Sequence, residues 1–349
     1  MAIVSLYTAD LHLTDKPRDD YRWNFLSWLE SFLAEKQVRY LFILGDLLDD
    51  KDNHASSLVN KFIRHLKRLL KVLDDNTGGA GKIFLLAGNH DSTDQTQPYF
   101  TFLHRSLNGR IFFFTRPAEI GLWQQRYLFL PYSKTFDEYV QKYDFSKYDR
   151  VLIHQPVCTG EGIEYANGVD VAVLGTCGGS VLAGDIHTRN QVGKYISVGA
   201  PFPVNMNDLY VPRVLIDVDG ELTSFDVPSI RKVKLNVTSV ADFVAKATIA
   251  FDRPEELKAE GDCAKVEVML PRSEFGSWKE ISKQVQAEAE TMGIKATSLS
   301  VVEKKSRPIL VRRTEETAKT KTPLSTLIDY AKVYNVDDGL MEYGRKLVK

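Results

Sequence analysis

Leu85-Leu86-Ala87-Gly88-Asn89-His90-Asp91 is an apolar run that stops abruptly at side chains able to bind metal. Two earlier stretches have the same shape. Ile3 to Thr8 leads into Ala9-Asp10-Leu11-His12, and Tyr40 to Leu44 leads into Gly45-Asp46-Leu47-Leu48-Asp49. Two more follow: Val151-Leu152-Ile153-His154, and Val181-Leu182-Ala183-Gly184-Asp185-Ile186-His187. Each run is a short buried-strand pattern with Asp, Asn or His at its C-terminal end. In an open α/β sheet that edge is where ligands bind. Residues far apart in sequence are therefore expected to meet there.

Around these motifs strand and helix alternate. Trp23, Phe25, Leu26, Leu29, Phe32 and Leu33 recur at helical spacing, ending at Lys36. A second helix is expected over Leu58 to Leu73, and Asn76-Thr77-Gly78-Gly79 reads as a turn. Short strands are expected at Ile111 to Phe114 and Tyr127 to Leu130, and closing strands at Gly193 to Val198 and Val214 to Val218. Such alternation predicts an α/β fold. From Ile230 the pattern becomes strand, helix, strand, helix, strand (Lys232 to Val237, Val240 to Phe251, Ala264 to Leu270, Trp278 to Met292, Ala296 to Val302). It contains no histidine, so no chemistry is expected there. Glu303 to Lys321 is rich in charge and threonine and reads as an exposed linker. Leu324, Leu327, Ile328 and Ala331, then Leu340, Tyr343 and Leu347, keep helical spacing. The expected division is thus 1–228, 229–303 and 304–349.

With 349 residues the chain exceeds what one ordinary core holds, which also points to more than one domain. A content of 44% apolar and 26% charged residues excludes a disordered chain. The formal charge of −1 gives no global basic field, so a nucleic-acid partner would have to be held locally or through metal. Cys158, Cys177 and Cys263 are odd in number and contain no Cys-x-x-Cys pair, which fits reduced thiols. The apolar run at the N-terminus is too short for a signal peptide, and no run approaches the roughly 20 residues of a membrane span. A cytoplasmic protein without membrane contact is expected.

Hard divalent ions that activate water take oxygen and imidazole ligands and keep positions open for water and substrate. Asp10, His12, Asp46, Asn89, His154, Asp185 and His187 supply that mixture. Seven ligands suit two ions that share one carboxylate and clamp a phosphate. Asp46, on the middle motif, is the natural bridge. Any single piece of this set is weak, since Asp-x-His occurs by chance. The ordered series of five, each after an apolar run, is specific.

That series resembles the calcineurin-like metallophosphoesterase superfamily over about the first 220 residues, which implies a sheet sandwich flanked by helices. By this resemblance Asp10, His12 and His187 hold the first metal, Asp46 bridges, and Asn89, His154 and Asp185 complete the second. His90 acts on the leaving oxygen as a proton donor or charge stabiliser, and Asp49 and Asp91 orient ligands. One position departs. The family usually has Gly-His-x-His where this chain has Gly184-Asp185-Ile186-His187. Asp185 leaves open retained activity, a changed metal preference, or a weakened second site.

Within the superfamily the order of parts resembles the SbcD-type nuclease subunits of double-strand-break repair complexes. These have a phosphoesterase domain, a small α/β cap, and helices that dock on a coiled-coil ATPase. Tyr195 to Pro201 is similar to that family's strand and loop after the last motif. The resemblance implies a manganese- or magnesium-dependent DNA 3′-to-5′ exonuclease and endonuclease, homodimeric, with an SbcC-like ATPase partner. Consistent with ATP lying on a partner, no Gly-x-x-x-x-Gly-Lys-Ser/Thr loop occurs here. Lys304, Lys305, Arg307, Arg312 and Arg313 form the densest basic run, readable as a phosphate contact or as a solvated linker. His54 is a candidate substrate contact or an ordinary loop histidine; His65 and His104 are assigned nothing. Two other functions stay open: a phosphodiesterase or phosphatase acting on a small metabolite or nucleotide, and a catalytically weak adaptor for DNA ends.

Overall fold

The structure, a computed structural model, describes residues 4–91, 99–105, 109–158, 168–206, 208 and 211–303. The expected linker, its basic run and the two terminal helices lie outside the described residues.

The first half of the chain builds one sheet with its covering helices: β1 (Val4–Thr8), α1 (Asp20–Glu35), β2 (Tyr40–Leu44), α2 (Ser56–Thr77), β3 (Lys82–Leu86) and β4 (Ile111–Phe114). The second sheet begins with β5 (Ala118–Leu122) and β6 (Gln125–Leu130), followed by α3 (Phe136–Lys142) and β7 (Arg150–His154). A two-strand ladder of β8 (Val157–Cys158) and β9 (Val169–Asp170) leads to α4 (Val171–Leu174). Next come β10 (Ser180–Gly184), β11 (Asn190–Val192) and β12 (Tyr195–Ser197), and then the hairpin β13 (Arg213–Val218) and β14 (Glu221–Asp226). A third sheet holds β15 (Lys232–Val237), β16 (Cys263–Leu270) and β17 (Lys295–Glu303), with α5 (Val240–Phe251) and α6 (Trp278–Thr291).

The first sheet has the order β14-β13-β1-β2-β3-β4 and the second β11-β12-β10-β7-β6-β5. Each contains four parallel strands; β13 and β14 extend the first sheet antiparallel at one end, and β11 and β5 extend the second at both. The apolar runs are continuous because the strands are buried on both faces. In β2, Leu41 and Ile43 pack toward α1 and α2, while Tyr40, Phe42 and Leu44 face the opposite sheet. In β7, Leu152 joins that inter-sheet layer, and Val151 and Ile153 join a cluster on the outer side with Phe136, Phe145 and Leu174.

Aromatic rings fill the layer between the sheets. Phe42 stacks on Tyr7 (centroids 4.7 Å apart) and on Phe84 (4.8 Å), and Phe114 stacks on Phe129 (4.1 Å). Truncating one such ring to alanine costs about 3–5 kcal/mol, so this layer fixes how the two sheets face each other. At one end of it, Arg150 of β7 donates from Nε and Nη2 to Asp217 Oδ2 of β13 at 2.9 and 2.7 Å. Both side chains are buried.

The third sheet has a core of its own, with Val233, Leu235, Phe243, Val266, Val268 and Val285 buried together. Two expectations are adjusted. The two closing strands belong to different sheets, β12 to the second and β13 to the first. Asn76 and Thr77 are still helical, because Asn76 Nδ2 donates to Leu33 O and Val38 O at 2.9 and 2.8 Å and holds the last turn of α2. Gly78, in the left-handed region (φ 64°), ends the helix. Among the described residues no helix is long and apolar enough to cross a membrane.

Candidate metal centre

Strands β1, β2 and β3 of the first sheet and β7 and β10 of the second all end at one edge, and all seven expected ligands come together there. Asp46 stands at the centre, 2% exposed. Its Oδ2 lies 3.3 Å from His12 Nε2, and its Oδ1 lies 3.3 Å from His154 Nε2. Each oxygen of one carboxylate thus faces a different lobe. On the first side, His12 Nε2 and His187 Nε2 are 3.2 Å apart, and Asp10 completes a group whose ligand atoms lie within 4.8 Å of one another. On the second, His154 Nε2 is 3.1 Å from Asn89 Oδ1 and 3.7 Å from Asp185 Oδ1.

The protons in this cluster do not suffice for its lone pairs. His154 Nδ1 lies 2.7 Å from Leu44 O, a pure acceptor, so Nδ1 carries a proton and Nε2 is the nitrogen left facing three oxygens, those of Asp46, Asn89 and Asp185. Asp10 Oδ2 is buried with no hydrogen-bond partner. The Asn89 oxygen faces His154; turned over, its amide would donate to His154 Nε2 at 3.1 Å and to both Asp46 oxygens at 3.0 Å. The first orientation suits a cation between these atoms, the second a site without one. Buried donors of this hardness, aimed at each other, fit divalent cations.

Charge in the cluster is strongly interdependent. Burial pushes the Asp10 and Asp185 carboxyls up. Burial also works on Asp46, but His154, His12 and His90 outweigh it and hold that carboxyl below the usual range. Against its own burial, His154 is raised well above an ordinary histidine by Asp46.

The backbone here is strained to aim the ligands. Asp10 (φ 54°), His12 (φ 40°), Asp46 (φ 53°) and Asp185 (φ 81°) are four of the seven non-glycine residues with positive φ among those described. Such strain concentrates where surrounding contacts enforce it. The contacts are present: Asp10 N donates to Gly45 O (3.1 Å), His12 N to Asp46 O (2.9 Å), and Asp185 N to Asp10 Oδ1 (2.9 Å). Glycine is required beneath them, since a Cβ on Gly45 would lie 2.0 Å from His154 Nδ1 and one on Gly88 2.2 Å from Asp46 Oδ1.

The remaining expected residues sit around this centre. Asp91 accepts from three backbone amides: Gly88 at 2.7 Å, Asp46 at 3.0 Å and Leu47 at 2.9 Å. Burial first, and then Asp46, raise its carboxyl to about 6. The Asp49 carboxylate is 3.5 Å from His12 Nδ1, while its backbone oxygen accepts from His90 Nδ1 at 2.6 Å. That bond leaves His90 Nε2 as the nitrogen available to a substrate. His54 is separate from the centre and packs on Tyr99 and Phe100.

Several residues could not be found from sequence. Arg22, buried in α1, donates to His12 O and lies 3.6 Å from Asp19. Asp208 sits 3.5 Å from His187 Nδ1, and its hydrogen bond helps to raise that histidine although burial opposes the rise. Asn205 Nδ2 is 3.4 Å from the same nitrogen. None of the three belongs to a motif of recognisable spacing.

No curated protein matches the sequence. Among solved structures, the chain is similar to a dimetal phosphatase from Danio rerio (12% identity, 64% of this chain and 98% of that one, TM-score 0.38). It is similar to the nuclease MPE of Pseudomonas putida (20% identity, 63% and 72%, TM-score 0.30). The phosphoesterase YfcE of E. coli also matches (14% identity, 64% and 99%, TM-score 0.31). Residues 5–175 match the calcineurin-like phosphoesterase family. That span supplies Asp10, His12, Asp46, Asn89, His90 and His154, and the fold adds Asp185 and His187 beside them. Over residues 5–175 the chain thus matches a superfamily that works with paired divalent metals, and the ligand groups gathered at this edge fit that chemistry.

Proposed function

We propose that this protein is a metal-dependent DNA nuclease, a 3′-to-5′ exonuclease and endonuclease, with manganese or magnesium at the two lobes that share Asp46. Asp10, His12 and His187 would hold one ion, and Asn89, His154 and Asp185 the other. Bound there, the ions would supply positive charge to the phosphate and make water more acidic. His90, with Nδ1 fixed by the Asp49 carbonyl, presents Nε2 to the departing sugar oxygen. Asp91 holds the three amides that place Asp46 and Gly88. Asp185 keeps an oxygen toward His154 and so keeps a donor in the second lobe.

The observation that carries the nucleic-acid reading is a cleft of about 720 Å³ beside the centre. Lys16, Arg18 and Arg22 line it from the phosphoesterase side together with Asp19, Asp20 and Asp49, and Lys232 and Lys295 from the third-sheet side together with Glu260, five cations against four carboxylates. Asp49 and Asn205, which approach His12 and His187, line the same cleft. A polyanion can follow such a groove to the metals. The ordering of the parts further supports a homodimeric assembly with an SbcC-like ATPase.

An end-labelled linear duplex tests this, incubated with manganese, with magnesium, and with the His90→Ala variant as control. Manganese-dependent shortening that is lost in the variant is the expected result. Brisk hydrolysis of a small phosphodiester with no shortening of DNA would replace this reading with a metabolite enzyme.

A further inference from the structure

Arg189 lies two residues past His187, on the turn that enters β11. Arg213 begins β13, which runs antiparallel to β1 with Leu215 opposite Tyr7, so it stands at the edge where β1 delivers Asp10 and His12. The two arginines, with Asn190, Gln191 and Val211, line a cleft of about 310 Å³. The Arg189 turn packs against the ligand loop itself: a Cβ on Gly199 would lie 2.9 Å from both Arg189 N and His187 O.

The charges in this cleft do not balance. Arg213 Nε donates to Asp226 at 2.7 Å. Arg189 Nη1 is buried and has no hydrogen-bond partner. Of the two guanidinium groups in the cleft, only that of Arg213 has a carboxylate partner, and a buried charged donor without an acceptor is costly. An unsatisfied buried donor in a cleft is a reason to look for a missing acceptor. The planar fork of a guanidinium matches two oxygens of a phosphate.

We propose that Arg189 and Arg213 form an anion subsite on the rim of the metal centre, which takes the phosphate next to the scissile one on a nucleic-acid strand. The identity of that anion rests on the nuclease reading above. The subsite gives the enzyme a hold on a polymer that a small phosphodiester with a single phosphate cannot use.

The test is binding of a fluorescent oligothymidylate to the full-length protein in EDTA, followed by anisotropy over a salt series. Arg189→Gln should weaken affinity about tenfold and lower the slope of log K against log salt by about 0.7, the loss of one phosphate contact on a single strand. Arg189→Lys should keep the slope, and Arg213→Gln should act in the same direction as Arg189→Gln. Unchanged slopes in the glutamine variants, or a wild type without salt-dependent binding, would overturn the subsite. Melting temperatures identify a variant that has failed to fold, in which case the lysine exchange and Arg213→Gln decide. Salt-sensitive binding through Arg189 without metal-dependent cleavage of linear DNA would retain the subsite and remove the nuclease reading.

Discussion

At the residue scale the centre depends on small groups with no freedom to move. Gly45 sits at φ 89° with His154 where its side chain would be. Gly45→Ala should reduce bound metal to less than half of wild type, measured by elemental analysis after gel filtration, because His154 must swing away. Asp91 is 1% exposed and is the acceptor for three amides. Asp91→Ala leaves these donors dry; a loss of about 3–5 kcal/mol in urea melts is expected. Turnover should fall by about 10–100-fold, as for other residues that orient metal ligands. His65 gives a pH-dependent effect well away from the metals. Burial, and then Arg68, Lys61 and Arg64, pull it down to about 4, below the ordinary value near 6.5. Between those values the unfolded chain binds more protons than the folded one, so stability falls as pH drops through that window. His65→Gln should flatten the fall in melting temperature between pH 6.5 and pH 4, and a parallel curve would refute this account.

At the element scale, two helices and two sheets meet through contacts of different kinds. The layer between the sheets is aromatic and tolerates little loss of volume. The Arg150–Asp217 pair clamps β7 to β13 in a buried setting, and Arg150 Nη2 also donates to Gly220 O at 2.7 Å. Removing one partner strands the other charge. Asp217→Ala should therefore destabilise the fold by about 3–5 kcal/mol. Neither residue touches the metal cluster, so kcat measured well below the melting temperature should stay close to wild type. A large loss of kcat without a fall in stability would show that the clamp is doing something other than joining the sheets.

At the scale of the whole molecule, the two sheets bring Asp10, Asp46 and Asp185 together, and the free energy of folding includes the mutual repulsion of these groups. Cations that bind only the folded state offset it by mass action. Dialysis against EDTA should lower the melting temperature, and manganese should restore it in a concentration-dependent way. No change on either step would contradict a metal centre at this edge. The third sheet has its own core and borders the cleft beside the metal centre through Lys232 and Lys295. Lys232 Nζ is 3.6 Å from Asp19 and 4.6 Å from the ring of Tyr21, which ties it to the helical side of the phosphoesterase domain.

The strands and the ligand types were legible in the sequence for one reason. A strand buried on both faces is apolar without interruption, so β1, β2, β3, β7 and β10 each end visibly at the first metal-binding side chain. Edge strands lack that signal. β5 alternates weakly and β14 has no fully buried residue, and neither is legible in the sequence. Arg22, Asn205, Asp208 and the Arg150–Asp217 pair were equally invisible, because hydrogen bonds between residues tens of positions apart leave no periodic trace. The sequence alone determined which groups could hold metal and that they would gather at one sheet edge. Tertiary structure decided that Asp46 turns one oxygen to each lobe, that Asp91 accepts from backbone amides, and that Arg189 Nη1 is buried without an acceptor. Those outcomes depend on side-chain directions set by positive-φ turns and by the packing of one sheet on the other.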